Sequence, residues 1–261
     1  MQERHTNLQR YFDEQAITTR KFVVSYIAAH KPISASTRVL EIGCGTGGNL
    51  VPFLEEGCTV LGVDISATSI ERAESLLSGH PQRANLKLIA DDIYNRSEAD
   101  GVYDVIIMRD VIEHIHNQEK FMAFVKRFMA PGAVFFLAFP PWYNPFGGHQ
   151  QICKHRWLSK IPFVHLLPGP LYKLTLKAFG ESSKTIDDLL EIKQTGISLE
   201  RFERISKREG YSICSKTWYF INPNYETKFG LKPRVQSPVF TFIPFLRNFT
   251  VTAGYYLLKL R

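Results

Sequence analysis

The stretch VLEIGCGTGGNL, residues 39–50, decides the fold. It joins an apolar run, which predicts a buried strand, to a turn containing Gly43, Gly45, Gly47 and Gly48. Glycine is needed where the backbone takes a positive φ or where a Cβ would block the approach of a ligand. In a doubly wound α/β sheet such a turn follows the first strand, at the edge where ligands bind. The stretch therefore predicts an α/β protein with its ligand site at this turn.

Apolar runs alternate with amphipathic stretches on both sides of this turn. The runs predict five strands, at 38–42, 59–65, 86–90, 103–108 and 133–139. Strands that are apolar on both faces are typical of a parallel sheet covered by helices on both sides. A helix at 199–209 and two more strands, at 211–221 and 250–260, follow. These elements predict one doubly wound domain over residues 36–261.

Two segments depart from the alternation. Residues 1–35 carry scattered apolar side chains, so we expect an N-terminal helical cap. Residues 141–197 are rich in proline and aromatic residues and predict an irregular or short-helical insertion that binds substrate. Within it, residues 161–180 could rest on a membrane surface, hold a lipid tail, or close the active site as a hydrophobic lid.

Composition narrows the class of protein. Of the 261 residues 44% are hydrophobic and 22% are charged, values of an ordinary folded protein. The four cysteines show no spacing typical of a metal site or a disulfide framework, so no metal-binding residues are predicted, any metal requirement stays open, and a reducing, cytoplasmic setting is expected. The N-terminal residues are too polar for a signal peptide, and no apolar run is long enough to span a bilayer.

The net charge of +7 is unevenly distributed. Residues 151–261 carry 18 Lys/Arg against 8 Asp/Glu, whereas residues 1–150 carry 14 against 17. A basic surface favours an anionic partner, such as a phosphorylated substrate, an anionic membrane or nucleic acid, although surface lysines also serve solubility alone. The chain shows no base-binding module and no dense basic tract, which argues against nucleic acid.

Glu41 distinguishes between two cofactors that the glycine-rich turn could bind. A dinucleotide such as NAD places an anionic pyrophosphate on the turn, and a nearby carboxylate would oppose it. The sulfonium and ammonium groups of S-adenosylmethionine (SAM) tolerate that carboxylate. The sequence therefore favours SAM over a dinucleotide.

Four ordered motifs resemble those of the class I SAM-dependent methyltransferases. They are VLEIGCGTGGN, VLGVDIS, LIADDIY and YDVIIMRDVIEHI. The resemblance covers residues 38–139 and is nearest to small-molecule methyltransferases of the ubiquinone/menaquinone-methylase-like type, which carry a similar EHI sequence. It implies a Rossmann-like sheet of seven strands with the last strand antiparallel.

The resemblance also implies roles for single residues. Asp64 accepts the ribose hydroxyls, Asp92 or Asp91 accepts the adenine amino group, and Ile93 flanks the ring. Gly43 and Gly45 lie against the methionine, whose amino group approaches the backbone of Arg109. The full set predicted to bind the cofactor is Glu41, Gly43, Cys44, Gly45, Asp64, Ile65, Asp91, Asp92, Ile93 and Arg109.

A hydroxyl acceptor needs a base, which we expect beyond the fifth strand. His149 is the first candidate, because the two glycines before it allow an unusual loop and histidine accepts a proton near neutral pH. Tyr143 is the second catalytic candidate. Gln150 and His155 are further candidates, His165 is expected to pack in the interior, and Glu113 and His114 are expected to hold the local structure.

The predicted function is SAM-dependent O-methylation of a small or lipid-like, anionic acceptor, with peripheral membrane contact as an option. Methylation of carbon or nitrogen is the alternative within the same class of enzyme. A non-catalytic SAM-binding protein is a second class, and an NAD-dependent oxidoreductase is a third.

Overall fold

One mixed sheet of eight strands forms the centre of the computed structural model, which describes residues 7–261. The strands are β1 (Arg38–Ile42), β2 (Thr59–Asp64), β3 (Leu86–Ala90), β4 (Tyr103–Arg109), β5 (Met129–Phe139), β6 (Tyr211–Ile221), β7 (Arg234–Val235) and β8 (Ala253–Leu260). Their order in the sheet is β3-β2-β1-β4-β5-β8-β6-β7. Strands β1 to β5 are parallel, and β8 is antiparallel to both β5 and β6.

The predicted α/β sheet with an antiparallel final strand is confirmed. The sheet has eight strands where seven were predicted, because the two-residue β7 pairs with the edge of β6. A pairing this short carries no hydrophobic alternation that the sequence could display.

Ten α-helices are present in the described part of the chain. They are α1 (Leu8–Thr18), α2 (Ser25–Ala28), α3 (Val51–Glu55), α4 (Ala67–Leu77), α5 (Gln118–Val125), α6 (Gly169–Ala178), α7 (Ser183–Thr195), α8 (Leu199–Arg208), α9 (Asn224–Phe229) and α10 (Pro238–Thr241). A π-helical segment, Thr19–Val24, joins α1 to α2. Ser66 caps the N-terminus of α4, since its side chain accepts a hydrogen bond from the Ser69 amide.

The core lies on both faces of the sheet. Successive strand residues point to opposite faces, so Val39 and Leu40 of β1 enter two different apolar clusters. Val105 and Ile106 of β4 divide in the same way, and all four side chains are buried. Burial of both faces explains why these strands read as continuous apolar runs.

The stretch 141–197 folds into short 3-10 turns followed by α6 and α7. It has an apolar cluster of its own that includes Leu158, Tyr172 and Leu189. The 13-residue α7 is longer than the short helices expected there. Its buried residues, such as Ile186, Leu189 and Ile192, follow helical spacing. The proline-rich sequence before this helix made an irregular segment the expectation for the whole stretch.

The N-terminal helices lie against the glycine-rich turn. A Cβ on Gly48 would be 2.5 Å from the Phe12 carbonyl oxygen and 2.8 Å from the Gln15 Cβ, so the backbone of α1 contacts the turn directly. The first six residues of the predicted cap, 1–35, lie outside the described residues. The cap as a separate unit remains a prediction.

Membrane-spanning helices were also sought. Within residues 7–261, no helix combines the length and the apolar character needed to cross a bilayer.

We predict that Gly48→Ala destabilises the protein. The added methyl group would meet backbone and Cβ atoms of α1 that cannot turn away, which costs about 1–3 kcal/mol in overpacked sites. Thermal unfolding should show the loss. Gly79→Ala is the matched control, because nothing lies within 4 Å of its added Cβ. Equal unfolding temperatures for the two variants would mean that α1 does not contact the turn.

Candidate functional site

A cavity of about 410 Å³ opens at the carboxyl ends of β1, β2 and β4. Of the residues predicted to bind the cofactor, eight line it: Gly43, Gly45, Asp64, Ile65, Asp91, Asp92, Ile93 and Arg109. The volume is within the range of small-molecule and cofactor sites. Strand order explains the position, since the chain crosses over from β3 to β4 and leaves a crevice at this edge of the sheet, between the neighbouring strands β1 and β4.

The glycine-rich turn approaches the cavity with bare backbone. Gly43 has φ +74, and a Cβ on it would be 2.4 Å from a methyl carbon of Val111. The Gly43 amide donates to the Val63 carbonyl at 2.8 Å, which holds the turn against β2. Cys44 is buried beneath the turn and is not among the lining residues, so the cavity wall carries only its neighbours.

Asp64, the last residue of β2, forms hydrogen bonds to two loops, the turn after β1 and the segment after β2. Its Oδ2 accepts a hydrogen bond from the Gly45 amide at 2.8 Å, and its Oδ1 accepts one from the Ser66 amide at 2.9 Å. The carboxylate is thereby held at the cavity wall. The exposed side chain of Ile65 lies beside it.

Asp91 and Asp92 both line the cavity but have different surroundings. Asp91 accepts hydrogen bonds from Asn95 Nδ2 and the Asp92 amide, each at 2.8 Å. The Asn95 bond leads the causes that hold the pKa of Asp91 below its ordinary value. Asp92 Oδ1 accepts from the Tyr94 amide at 2.9 Å, and no other hydrogen bond of this carboxylate is present among the described residues. Asp92 therefore has more capacity left for a ligand.

A buried polar network lies behind the turn. Asn49 donates from Nδ2 to Glu41 Oε1 at 2.7 Å, and its Oδ1 accepts from the Arg109 guanidinium at 2.6 Å and from the Thr19 hydroxyl at 2.8 Å. Arg109 also donates to Asn224 Oδ1 at 2.8 Å. This network ties β1 and β4 to the N-terminal helices and to α9.

Glu41 lies under the cavity wall and does not line it. Burial raises the pKa of its carboxyl to about 8, and the Asn49 hydrogen bond and the Arg109 charge offset only part of this rise. At neutral pH the side chain is thus largely uncharged. The predicted electrostatic effect of Glu41 on the cofactor is correspondingly weak, and the exposed Asp110 on the cavity wall supplies a carboxylate instead.

Glu113, His114 and His149 meet beside the cavity. The rings of His114 and His149 are 5.1 Å apart, and His149 Nε2 is 3.9 Å from Glu113 Oε1. Burial lowers the pKa of His149 to about 4 and raises that of Glu113 well above its ordinary value. Partial desolvation of the His114 ring, which stays exposed at the cavity, lowers its pKa as well. His114 lines the cavity, whereas His149 is placed behind it. The two histidines are therefore neutral at physiological pH.

The remaining acceptor-side candidates are not among the residues that line the cavity. Tyr143 is exposed with its ring 5.6 Å from that of Phe249. Gln150 is buried and donates to the Pro145 and Ile161 carbonyls, and His155 packs on Phe179. His165 is buried, with Nε2 2.8 Å from the Trp142 carbonyl oxygen, as predicted for a packed histidine.

Several lining residues escaped sequence reasoning. They come from two helices, α1 and α9: Tyr11, Glu14, Gln15, Thr18, Asn224, Thr227 and Lys228. These helices are far apart in the chain and come together only because α1 packs on α9. No local motif indicates such a meeting.

The strand order, the glycine-rich turn and the acidic residues at successive strand ends together define a class I methyltransferase. A family profile described as a methyltransferase domain matches residues 8–161, more than half of the chain. The chain belongs to this methyltransferase family. The predicted resemblance to methyltransferases is confirmed.

Curated relatives are similar over a shorter part. A norajmaline N-methyltransferase from Rauvolfia serpentina is 28% identical over 103 residues, which are 39% of this chain and 35% of the relative. A ubiquinone biosynthesis O-methyltransferase from Brucella ovis is 33% identical over 103 residues, 39% of this chain and 40% of the relative. The matches thus span well under half of these relatives.

A solved structure extends the likeness of fold to the whole chain. The plantazolicin methyltransferase BpumL in complex with SAH (S-adenosylhomocysteine) has a TM-score of 0.54 at 15% identity, and covers 99% of this chain and 86% of its own. At this identity the match supports the fold.

We predict that Glu41→Gln changes how stability depends on pH. In the wild type the unfolded chain loses the Glu41 proton near its ordinary pKa of 4.5, but the folded state keeps it up to about 8. Wild-type stability therefore falls as the pH rises through this window, and the variant escapes that fall. Relative to the wild type, the melting temperature of the variant should rise by roughly 5 °C or more between about pH 5 and pH 8.5.

Glu56→Gln is the control for this experiment, because Glu56 is exposed in the loop after α3. It should unfold in parallel with the wild type at every pH. If the melting temperature of Glu41→Gln also followed that of the wild type at every pH, the pKa of Glu41 would not be raised in the folded state.

Proposed function

We propose that the chain binds SAM in this cavity and transfers its methyl group to a small or lipid-like acceptor. Asp64 accepts hydrogen bonds from the ribose hydroxyls, and Asp92 accepts one from the adenine amino group. The turn at Gly43 and Gly45 contacts the methionine. The carrying observation is that eight of the ten residues predicted to bind the cofactor line one cavity. The SAH present in the similar BpumL structure supports the same choice of cofactor.

Arg109 gives the methionine end a charged partner that sequence reasoning did not assign to the side chain. Its guanidinium is buried, lines the cavity, and has an Nε atom without a hydrogen-bond partner among the described residues. A buried donor left unpaired is costly, and a carboxylate ligand would satisfy it. We assign the carboxylate of SAM to this donor.

Methyl transfer is an in-line displacement. A bond forms between the acceptor atom and the methyl carbon while the carbon–sulfur bond breaks, and its electron pair returns to sulfur to leave SAH. The enzyme contributes alignment and exclusion of water, and for a hydroxyl acceptor it must also provide for loss of the proton. The adenosine and methionine contacts above supply the alignment.

Oxygen is the acceptor atom that the site favours. His114 lines the cavity and is neutral, with His149 in contact behind it, so an imidazole nitrogen is available beside the acceptor. We place the acceptor hydroxyl beside this pair, with His149 acting through His114, and Tyr143 remains a second candidate from the insertion. A screen of quinols, phenols, amines and lipid-linked acids for uptake of label from SAM would distinguish this proposal from two alternatives. These are methylation of carbon or nitrogen, and SAM binding without catalysis.

An anionic membrane surface is the source we propose for a lipid-like acceptor. Residues 237–246, the apolar loop, expose six large hydrophobic side chains: Val239, Phe240, Phe242, Ile243, Phe245 and Leu246. A contiguous exposed apolar surface of this kind marks an interaction site. The surrounding C-terminal half is the basic part of the chain, which complements anionic lipid.

The apolar loop is held in place. Glu200 accepts hydrogen bonds from the Phe245 amide at 3.1 Å, from Arg247 at 2.6 Å and from Asn248 at 2.7 Å. Phe245 has φ +63, an uncommon conformation for a side chain of this size. Phe249, just beyond, contacts Phe163 of the insertion at 6.0 Å between rings. The loop and the insertion therefore form one surface.

We predict that Asp64→Asn weakens SAH binding by about 2 kcal/mol, roughly 30-fold, because a charge-assisted contact to the ribose is lost. Isothermal titration measures the change. Glu71→Gln, an exposed change on the adjacent α4, is the control and should bind as the wild type does. Unchanged affinity in folded Asp64→Asn would remove Asp64 from the site.

We predict that the double variant Val239→Ser/Phe242→Ser lowers binding to phosphatidylglycerol vesicles at least about fivefold, since two highly exposed apolar side chains are lost. Co-sedimentation measures this. Ile17→Ser, an exposed change on α1, is the control and should not alter binding. If the wild type does not bind these vesicles, or if the double variant binds them as strongly as the wild type does, the loop does not contact membranes.

A further inference from the structure

We infer that Glu113, His114 and His149 bind a divalent transition-metal ion, with zinc as the type case, at the wall of the cofactor cavity. Binding of the ion stands on these three residues alone. Its chemical role rests on the proposed function, because the ion would lie beside the acceptor.

The three side chains already converge. One ligand atom from each, two imidazole nitrogens and a carboxylate oxygen, lies within 4.8 Å of the others, and His149 Nε2 is 3.9 Å from Glu113 Oε1. Ligand atoms bound to zinc at its usual bond lengths are about 3.3 Å apart. Side-chain adjustments of about 1 Å would complete the contact, with no change of fold.

Glu113 is the decisive member of this cluster. Its side chain is 3% exposed, and both carboxylate oxygens are buried without a hydrogen-bond partner among the described residues. A buried carboxyl group with neither oxygen satisfied costs free energy that the fold must compensate. The nearest candidate partner, His149, is beyond hydrogen-bond distance at 3.9 Å. A cation between the two would satisfy both groups.

The loop around His149 is built to hold this side chain. His149 has φ +57, a left-handed conformation that is uncommon outside glycine. A Cβ on Gly148 would be 2.1 Å from that of His165, and one on Gly147 would be 2.3 Å from the Trp142 carbonyl oxygen. The neighbouring Gln150 is fully buried and donates to two carbonyls. Backbone strain retained in so constrained a loop indicates that the position of the imidazole matters.

The site is open on one side. His114 is exposed and lines the cavity, whereas Glu113 closes the inner side. Three protein ligands with an open position towards a cavity are the arrangement of catalytic rather than structural metal centres. With the ion bound, both imidazoles would be ligands, so an acceptor hydroxyl in the open position would lose its proton to water and not to His114, and would present an oxygen lone pair to the methyl group.

The donor set selects the type of ion. Two imidazoles and one carboxylate suit zinc and the neighbouring first-row metals, whereas magnesium prefers oxygen ligands alone. The sequence indicated no metal-binding residues because its cysteines and histidines show no spacing typical of a metal site. The His149 ligand comes from a different loop, so no such spacing exists.

The test is a zinc titration of the full-length, tag-free, EDTA-stripped protein, by calorimetry and by metal content after dialysis. The wild type should retain one equivalent of zinc. Glu113→Gln keeps the shape of the buried side chain, and His149→Asn keeps a residue that tolerates the left-handed backbone. Each should weaken zinc binding by at least roughly 100-fold.

His116→Gln is the matched control. His116 pairs with Glu191 at 3.1 Å but lies on the surface, outside the cluster. It should bind zinc as the wild type does. No zinc on the wild type, equal zinc on both cluster variants, or loss of zinc in His116→Gln would each overturn the inference.

Titration of the same samples with SAH separates this inference from the proposed function. Zinc lost with SAH binding intact in the cluster variants supports the metal site and shows that they are folded. Absent zinc with intact SAH binding in the wild type overturns the metal site alone, and absent SAH binding overturns the proposed function. If Glu113→Gln does not fold, His149→Asn, on a different segment of the chain, decides.

Discussion

The two backbone hydrogen bonds accepted by the Asp64 carboxylate hold the site together. They come from Gly45, in the turn after β1, and from Ser66, which begins the helix after β2. A single side chain therefore sets the distance between the two loops that form one wall of the cavity. Since β1 is flanked by β2 and β4, that wall lies at the crevice created by the strand order.

The buried guanidinium of Arg109 forms another part of the cavity wall. Arg109 cannot lose its proton, so its burial is acceptable only because Asn49, Thr19 and Asn224 accept its hydrogen bonds. These three partners belong to α3's preceding turn, the N-terminal π-helix and α9. The same network that stabilises the cation thus brings distant segments over the cavity. Glu41, largely uncharged beneath it, limits the free energy that two buried charges would otherwise cost.

The sheet could be predicted in detail, because buried parallel strands leave continuous apolar runs and the turns between them carry glycine or a capping serine. The contribution of Gly43, Asp64 and Asp92 to the cavity wall was predictable for the same reason, since each lies at or just beyond the end of a predicted strand. The acceptor side was not. Whether His149 or His114 faces the cavity depends on how a long insertion folds over the sheet edge, and local sequence carries no record of that packing. The contribution of α1 and α9 likewise depends on contacts between helices far apart in the chain.

We propose that this cavity binds SAM and not a dinucleotide. The first measurement to make is an isothermal titration of the purified protein with SAH, with NAD and NADP measured alongside. We expect saturable binding of SAH with one site per chain and no binding of either dinucleotide. Binding of NAD or NADP in place of SAH, or no binding of SAH by protein shown to be folded, would contradict it.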